Sequence, residues 1–279
     1  MDIILILILI LAVIMLLIAY FIRMRPRKQI LLQPLPLSSA KILSEFVPFY
    51  NKLDPGKKEQ FEKRVQCFLS NVRITGVNTN VDELDKVLIA ASAIIPIFAF
   101  PEWEYFNLHE VLLYPDSFNE KFQQEGSGRD ILGVVGTGAF QHVMILSKAE
   151  LRQGFMNNTG KNNTSIHEFV HLIDKTDGEI DGIPEVIMPD DTILPWLNMI
   201  RHNIDVLREN ESDINPYAAT NPAEYFAVVS EYFFERPDLL QEKHPQLYDF
   251  LVKIFRQQPD KPNKSEFLQL TTALFVYSL

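Results

Sequence analysis

The sequence predicts an α+β protein, mostly helical with a small mixed sheet, preceded by one membrane-spanning helix. Three observations carry that expectation. Several segments repeat apolar side chains at the helical period, short β-branched runs lie between turn residues, and one stretch near the amino terminus is apolar throughout. At 279 residues, with 47% hydrophobic and 22% charged residues, the chain can bury a sizeable core. Its single cysteine, Cys67, excludes an internal disulfide and a cysteine-based metal cluster. The net charge of −10 is uneven, since residues 1–28 carry +3 and the remainder −13. So acidic a body excludes non-specific nucleic-acid binding.

Ile3 to Ile22 is twenty consecutive residues without a charge. At about 1.5 Å per residue the run matches a hydrocarbon core of roughly 30 Å. A cleaved signal peptide needs a basic segment ahead of the run and small residues after it. Only Met1 and Asp2 precede this one, and Arg23-Met24-Arg25-Pro26-Arg27-Lys28 follows it. The expectation is therefore a single-pass anchor over residues 1–24, in the cell's inner membrane, with the rest of the chain on the cytoplasmic side. Residues 25–39, with Pro34 and Pro36, read as a linker, and 40–279 as one domain.

Helical spacing runs from Leu43 to Leu69 and is broken at Asp54-Pro55-Gly56; Phe61, Val65, Phe68 and Leu69 form its apolar stripe. Asp82 to Phe98 is a second and more apolar helix. Glu110 to Tyr114 reads as a short strand ended by Pro115-Asp116. The glycine-rich stretch Gly126 to Gly138 lacks the strand–turn–helix context of a dinucleotide fingerprint and reads as a turn or loop. Ala139 to Ser147 reads as a strand, and its His142 as an ordinary half-buried residue rather than a ligand.

Next comes Thr164-Ser165-Ile166-His167-Glu168-Phe169-Val170-His171. On a helix, His167 and His171 project from one face, one turn apart, as two corners of a tetrahedral zinc site. Glu168 then reaches a metal-bound water as general base, the arrangement of the H-E-x-x-H zinc hydrolases. Thr164 or Ser165 suits the helix cap. Asp174 shares the face of the two histidines, either accepting the outer N–H of one of them or standing exposed. The 139–147 strand is expected to be the edge strand beside this helix, where extended peptide substrate pairs.

A catalytic zinc needs a third protein ligand and an open position. Residues 179–200 are irregular and proline-punctuated, and Trp196 to Arg208 looks helical. Asn221 caps a further helix with Pro222 at its first position, running to Glu235 near Arg236-Pro237. In that apolar helix Glu224 is the preferred third ligand, with Glu231 as the alternative ligand or a partner of a histidine, and Glu235 solvated near the end. Tyr217, seven residues before Glu224, suits hydrogen bonding to the oxyanion of a tetrahedral intermediate.

Leu112-Leu113-Tyr114-Pro115-Asp116-Ser117-Phe118, His167-Glu168-Phe169-Val170-His171, Tyr217-Ala218-Ala219-Thr220-Asn221-Pro222-Ala223-Glu224 and Ser230-Glu231-Tyr232-Phe233-Phe234 together resemble the Mlc titration factor A (MtfA) family of zinc peptidases, over about residues 40–260. The resemblance implies a zincin-like metallopeptidase domain similar to that of anthrax lethal factor. It further implies Zn2+ held by His167, His171 and Glu224, Glu168 as catalytic base, and Tyr217 at the matching tyrosine. Its implied partners are a peptide or protein substrate and, in an alternative role, a transcriptional regulator that the protein sequesters. Two departures stand out. Some family members place a metal-masking histidine where this chain has Gly133 to Phe140, and the members in view lack an anchor.

Overall fold

The computed structural model describes residues 35–259 except 127, 158, 210 and 211. The expected membrane-spanning run and residues 25–34 of the expected linker lie outside the described residues. Among the described residues, no helix is long and apolar enough to cross a membrane.

Four helices lie within residues 37–97. Helices α1 (Leu37–Phe46) and α2 (Pro48–Asn51) lead to α3 (Pro55–Asn71), whose start is set by the Asp54 carboxylate accepting the Lys57 N–H. Helix α1 thus begins inside the stretch expected to be a linker. Helix α4 (Glu83–Ile97) opens with a capping box made by Asp82 and Asp85, and is buried almost all round. Fully buried Asp85 is held by Lys148 at 3.0 Å and Arg152 at 2.8 Å, and Arg152 also pairs with Asp82 at 2.6 Å.

Strand β1 (Arg73–Gly76) is a short element that the sequence pattern does not announce. It pairs parallel with β2 (Glu110–Tyr114), which pairs parallel with β4 (Val143–Ser147); β3 (Gly133–Val135) is antiparallel to β4. The order β1-β2-β4-β3 places β4 inside the sheet. The edges are β1 and β3, and β3, which packs against the H-E-x-x-H helix, is drawn from the stretch expected to be a loop. Two β-branched residues between glycines make too short a run to register as a strand, and only pairing with Met144 to Leu146 defines it.

Helix α5 (Lys148–Met156) follows β4 directly, capped by Ser147. Helix α6 (Thr164–Asp174) carries the H-E-x-x-H sequence, and packs against α4, β3 and α8. Ile166, Phe169, Val170 and Ile173 bury its apolar side, with Phe169 against Phe68 and Tyr105. Helix α7 (Asp190–Glu209) runs through Pro195, beginning earlier than the expected Trp196. Helix α8 (Pro222–Glu235) is the second buried helix, and α9 (Pro237–Lys243) and α10 (Pro245–Phe255) close the domain over it through rings such as Phe226, Phe233 and Phe255.

Gly182 joins three of these parts. Its N–H donates to Asp174 at 2.8 Å, its carbonyl accepts the Trp196 indole N–H at 2.8 Å, and a Cβ there would lie 2.3 Å from the Pro222 carbonyl oxygen. With φ +82 as well, only glycine lets the start of α8 approach the end of α6.

The α6 cap is Asn163, one residue before the expected Thr164; its Oδ1 accepts the Ile166 N–H at 3.2 Å. The remaining polar atoms of this buried side chain and its backbone N–H are taken by α8. The backbone N–H donates to Glu231 at 2.6 Å, and Nδ2 donates to Glu235 at 2.8 Å. Glu235 is therefore not solvated as expected, because its partner lies across the fold and not along its own helix. Burial pushes its carboxyl up to about 7; the Glu231 charge adds to this and the Asn163 hydrogen bond opposes it. A carboxyl raised in the folded state costs nothing at low pH, and its penalty grows as pH climbs from its ordinary value through about 7. Glu235→Gln keeps the acceptor for Asn163 and is expected to stabilise the protein by on the order of 2 kcal/mol at pH 8, and little at pH 5. Chemical denaturation at both pH values checks this, and an equal effect at each contradicts it.

Candidate metal centre

Helix α6 projects His167 and His171 one turn apart, and α8 delivers Glu224 from its first turn, where the Asn221 side chain accepts the Glu224 N–H at 2.9 Å. The three side chains converge. His167 Nε2 lies 3.0 Å from His171 Nε2 and 3.0 Å from Glu224 Oε2, which is 3.4 Å from His171 Nε2. Among the described residues this is the group of donors that could hold a metal ion.

Proton bookkeeping supports the fit. His167 Nδ1 is 2.6 Å from Glu231 Oε1, so that nitrogen carries a proton shared with the carboxylate. Its Nε2 then turns a lone pair towards the Glu224 anion and the other imidazole. Without a cation, only a further proton relieves this. Burial alone lowers the His167 pKa, but the Glu231 charge and the hydrogen bond to Glu224 push it up to about 10. Burial likewise raises Glu224, yet its hydrogen bonds with both histidines hold it down at about 2. A divalent cation meets the same electrostatic demand, and separations of 3.0–3.4 Å are near the ~3.3 Å ligand edge of a tetrahedron with bonds of about 2.0–2.1 Å.

Glu231 is placed behind His167 rather than among the three donors, so of the two carboxylates considered it is the partner of a histidine. Asp174 follows neither expectation. It is fully buried, not exposed, and its Oδ2 is spent on the Gly182 N–H, while its Oδ1 and His171 Nδ1 are both buried without a hydrogen bond. Burial brings the Asp174 carboxyl up to about 7. His142 lies away from the three donors, bonded through Nδ1 to the Asn107 carbonyl and stacked on His109 at 4.5 Å.

Glu168 faces the sheet edge. A Cβ at Gly133 would lie 2.7 Å from Glu168 Cγ, so glycine is what allows the backbone of β3 to lie against this carboxylate. Burial raises the Glu168 pKa, the two histidines oppose the rise, and Glu224 and Glu231 add to it. After β3 the chain is pinned by the Gly136 N–H on the Val143 carbonyl at the start of β4 and by Lys175 Nζ, just past α6, on the Gly136 carbonyl. Tyr217 stands in a 3-10 turn (Pro216–Ala219) with its ring 6.2 Å from that of His167 and 53% of its surface exposed. Burial of the remainder, with Glu224, Glu168 and Asp130 nearby, raises its pKa, so the phenol stays a donor at neutral pH.

Sequence reasoning missed Asn163, Glu235 and Gly133 as organisers of this centre. Asn163 was within reach as one of four consecutive cap-forming residues, Asn162 to Ser165. Gly133 and Glu235 have only long-range partners and leave no local signal.

Comparison with known proteins shows the family. An uncharacterized protein of Synechocystis is 31% identical over 244 residues, covering 83% of this chain and 88% of that protein. Mlc titration factor A of Salmonella arizonae is 30% identical over 233 residues, 77% of this chain and 89% of the relative. Mlc titration factor A of Pectobacterium atrosepticum is 35% identical over 169 residues, 54% of this chain and 60% of the relative. The profile of the glucose-regulated metallo-peptidase M90 family matches residues 21–256, and the chain belongs to that family of metallopeptidases.

Proposed function

We propose that the chain is a membrane-anchored zinc metallopeptidase whose catalytic domain faces the cytoplasm and hydrolyses peptide bonds. The convergence of His167 Nε2, His171 Nε2 and Glu224 Oε2 beside the buried Glu168 carries this reading. Those three residues would hold the ion, and two imidazoles with one carboxylate suit zinc. When bound, zinc supplies a Lewis acid that polarises a carbonyl and brings the pKa of water towards ~7.

The chain's own residues do the rest. As an outer strand of the sheet among the described residues, β3 would pair with an extended peptide and lay the scissile carbonyl past Glu168. Glu168 takes the proton of the attacking water and hands it to the leaving amine, and its raised proton affinity suits both steps. Tyr217, still protonated, donates to the developing oxyanion. Glu231 fixes the tautomer and tilt of His167. The anchor reading rests on the uncharged run Ile3 to Ile22 and the basic residues after it. Recovery of the full chain in the membrane fraction, with the domain digestible only from the cytoplasmic side, tests it.

A second reading has its own support. The relatives named Mlc titration factor A suggest a regulatory protein that sequesters a transcriptional repressor, with the metal structural. Glu168→Gln separates the two. The peptidase reading expects hydrolysis to fall about 10²–10⁴-fold while metal content is retained, and the biological effect to vanish with it. Retained turnover overturns the role of Glu168, and a retained biological effect without turnover favours sequestration.

The ligand set has a separate test by metal analysis of purified variants. Glu224→Ala is expected to lose the metal, whereas Glu231→Ala keeps the site and weakens its affinity about 10–100-fold. The reverse pattern would make Glu231 the ligand.

A further inference from the structure

Of the residues assigned to the centre, His167, Glu168 and His171 stand on α6 and Glu224 on α8, whereas Tyr217 stands in a 3-10 turn. So short a turn holds a side chain only as firmly as its two ends are held. At the exit, Arg208 from the end of α7 donates twice to the Ala219 carbonyl, at 2.9 and 3.2 Å. At the entry, Asn215 Oδ1 accepts the Tyr217 N–H at 3.0 Å and Ile214 is buried. The residue before them, Asp213, is the polar anchor.

Asp213 gathers four side chains from three other parts of the chain. Lys161 Nζ donates to its carbonyl at 2.5 Å and to Oδ2 at 2.9 Å. The Tyr232 hydroxyl donates to Oδ2 at 2.6 Å, His244 Nε2 lies 2.7 Å from Oδ1, and Lys243 Nζ lies 3.3 Å from Oδ2. The Lys161 ammonium also stands 4.7 Å over the Tyr232 ring. Burial raises the Asp213 pKa, but the bonds from Lys161, Tyr232, His244 and Lys243 outweigh it and hold the carboxyl well below its ordinary range. The carboxylate therefore stays charged at any working pH, and the cluster is a fixed strut rather than a switch. Two of its members adjoin the centre. Lys161 comes two residues before Asn163, the cap of α6, and Tyr232 follows Glu231 on α8. The strut thus ties the entry to the Tyr217 turn both to the segment entering α6 and to α8 itself.

We propose that Asp213 is a positioning residue that sets the place of the Tyr217 phenol against the metal centre. The proposal rests on the peptidase reading and deepens it. Asp213 touches no reacting atom and acts through the turn whose phenol meets the oxyanion. A donor displaced by about 1 Å can cost on the order of 10²-fold in rate, so the strut bears on turnover as well as on folding.

The test reads position and turnover separately. The full-length protein in detergent, loaded with Co2+ and carrying 3-fluorotyrosine at position 217, is compared by fluorine NMR with its Asp213→Asn and Lys161→Met variants. The paramagnetic shift of the fluorine reports how the ring stands to the metal. Lys161→Met removes one partner and leaves the carboxylate, and it decides the matter where Asp213→Asn fails to fold. Each folded variant is expected to keep its Co2+ and to lose part of the paramagnetic shift. With zinc and a library of internally quenched peptides, Asp213→Asn is expected to lower kcat about tenfold with KM little changed. In a Tyr217→Phe background the same substitution should cost nothing further, because the two act through one phenol. An unchanged shift, loss of the metal, or an equal fall in kcat with and without the phenol overturns the proposal. If the unaltered protein cleaves no peptide, the peptidase reading fails, while the fluorine comparison still decides whether Asp213 places Tyr217.

Discussion

The centre depends on one contact, the two-sided grip of Glu231. From α8, one oxygen holds His167 Nδ1 and the other holds the Asn163 N–H at the start of α6. The same carboxylate therefore orients a candidate ligand and fixes where its helix begins. Such a grip is costly in isolation, since a buried carboxylate needs full compensation. Here the compensation comes from the positive end of α6 and from the imidazole. Glu235, one turn further along α8, completes the clamp through the Asn163 amide.

Four carboxylates, Glu168, Glu224, Glu231 and Glu235, thus gather with two histidines where α6 and α8 meet. Their protonation follows their surroundings. Glu235 and Glu168 are shifted towards the neutral form, and Glu224 towards the charged one. A site that keeps one anion beside two imidazoles while raising the proton affinity of the neighbouring glutamate separates a metal-holding role from a proton-carrying role.

What the sequence made legible was local. His167, Glu168 and His171 fall on one helical face by spacing alone, and Asn221-Pro222 announces the helix that bears Glu224. The α4 helix and strand β2 were equally readable, because capping, periodicity and turn residues act within a few positions. Three of the misreadings share one cause. Strand β3 exists through pairing with β4, the burial of Glu235 through a residue 72 positions away, and the environment of Asp174 through a glycine loop that folds back on it. Those are tertiary facts, and periodicity does not carry them.

The central claim is that His167, His171 and Glu224 form a zinc site. Crystals of the full-length protein grown with Zn2+, measured on both sides of the zinc absorption edge, test it most directly. The account predicts one strong anomalous peak within about 2.0–2.2 Å of both Nε2 atoms and a Glu224 oxygen. A peak bound by Glu231 in place of Glu224, or no peak between the two histidines, would contradict it.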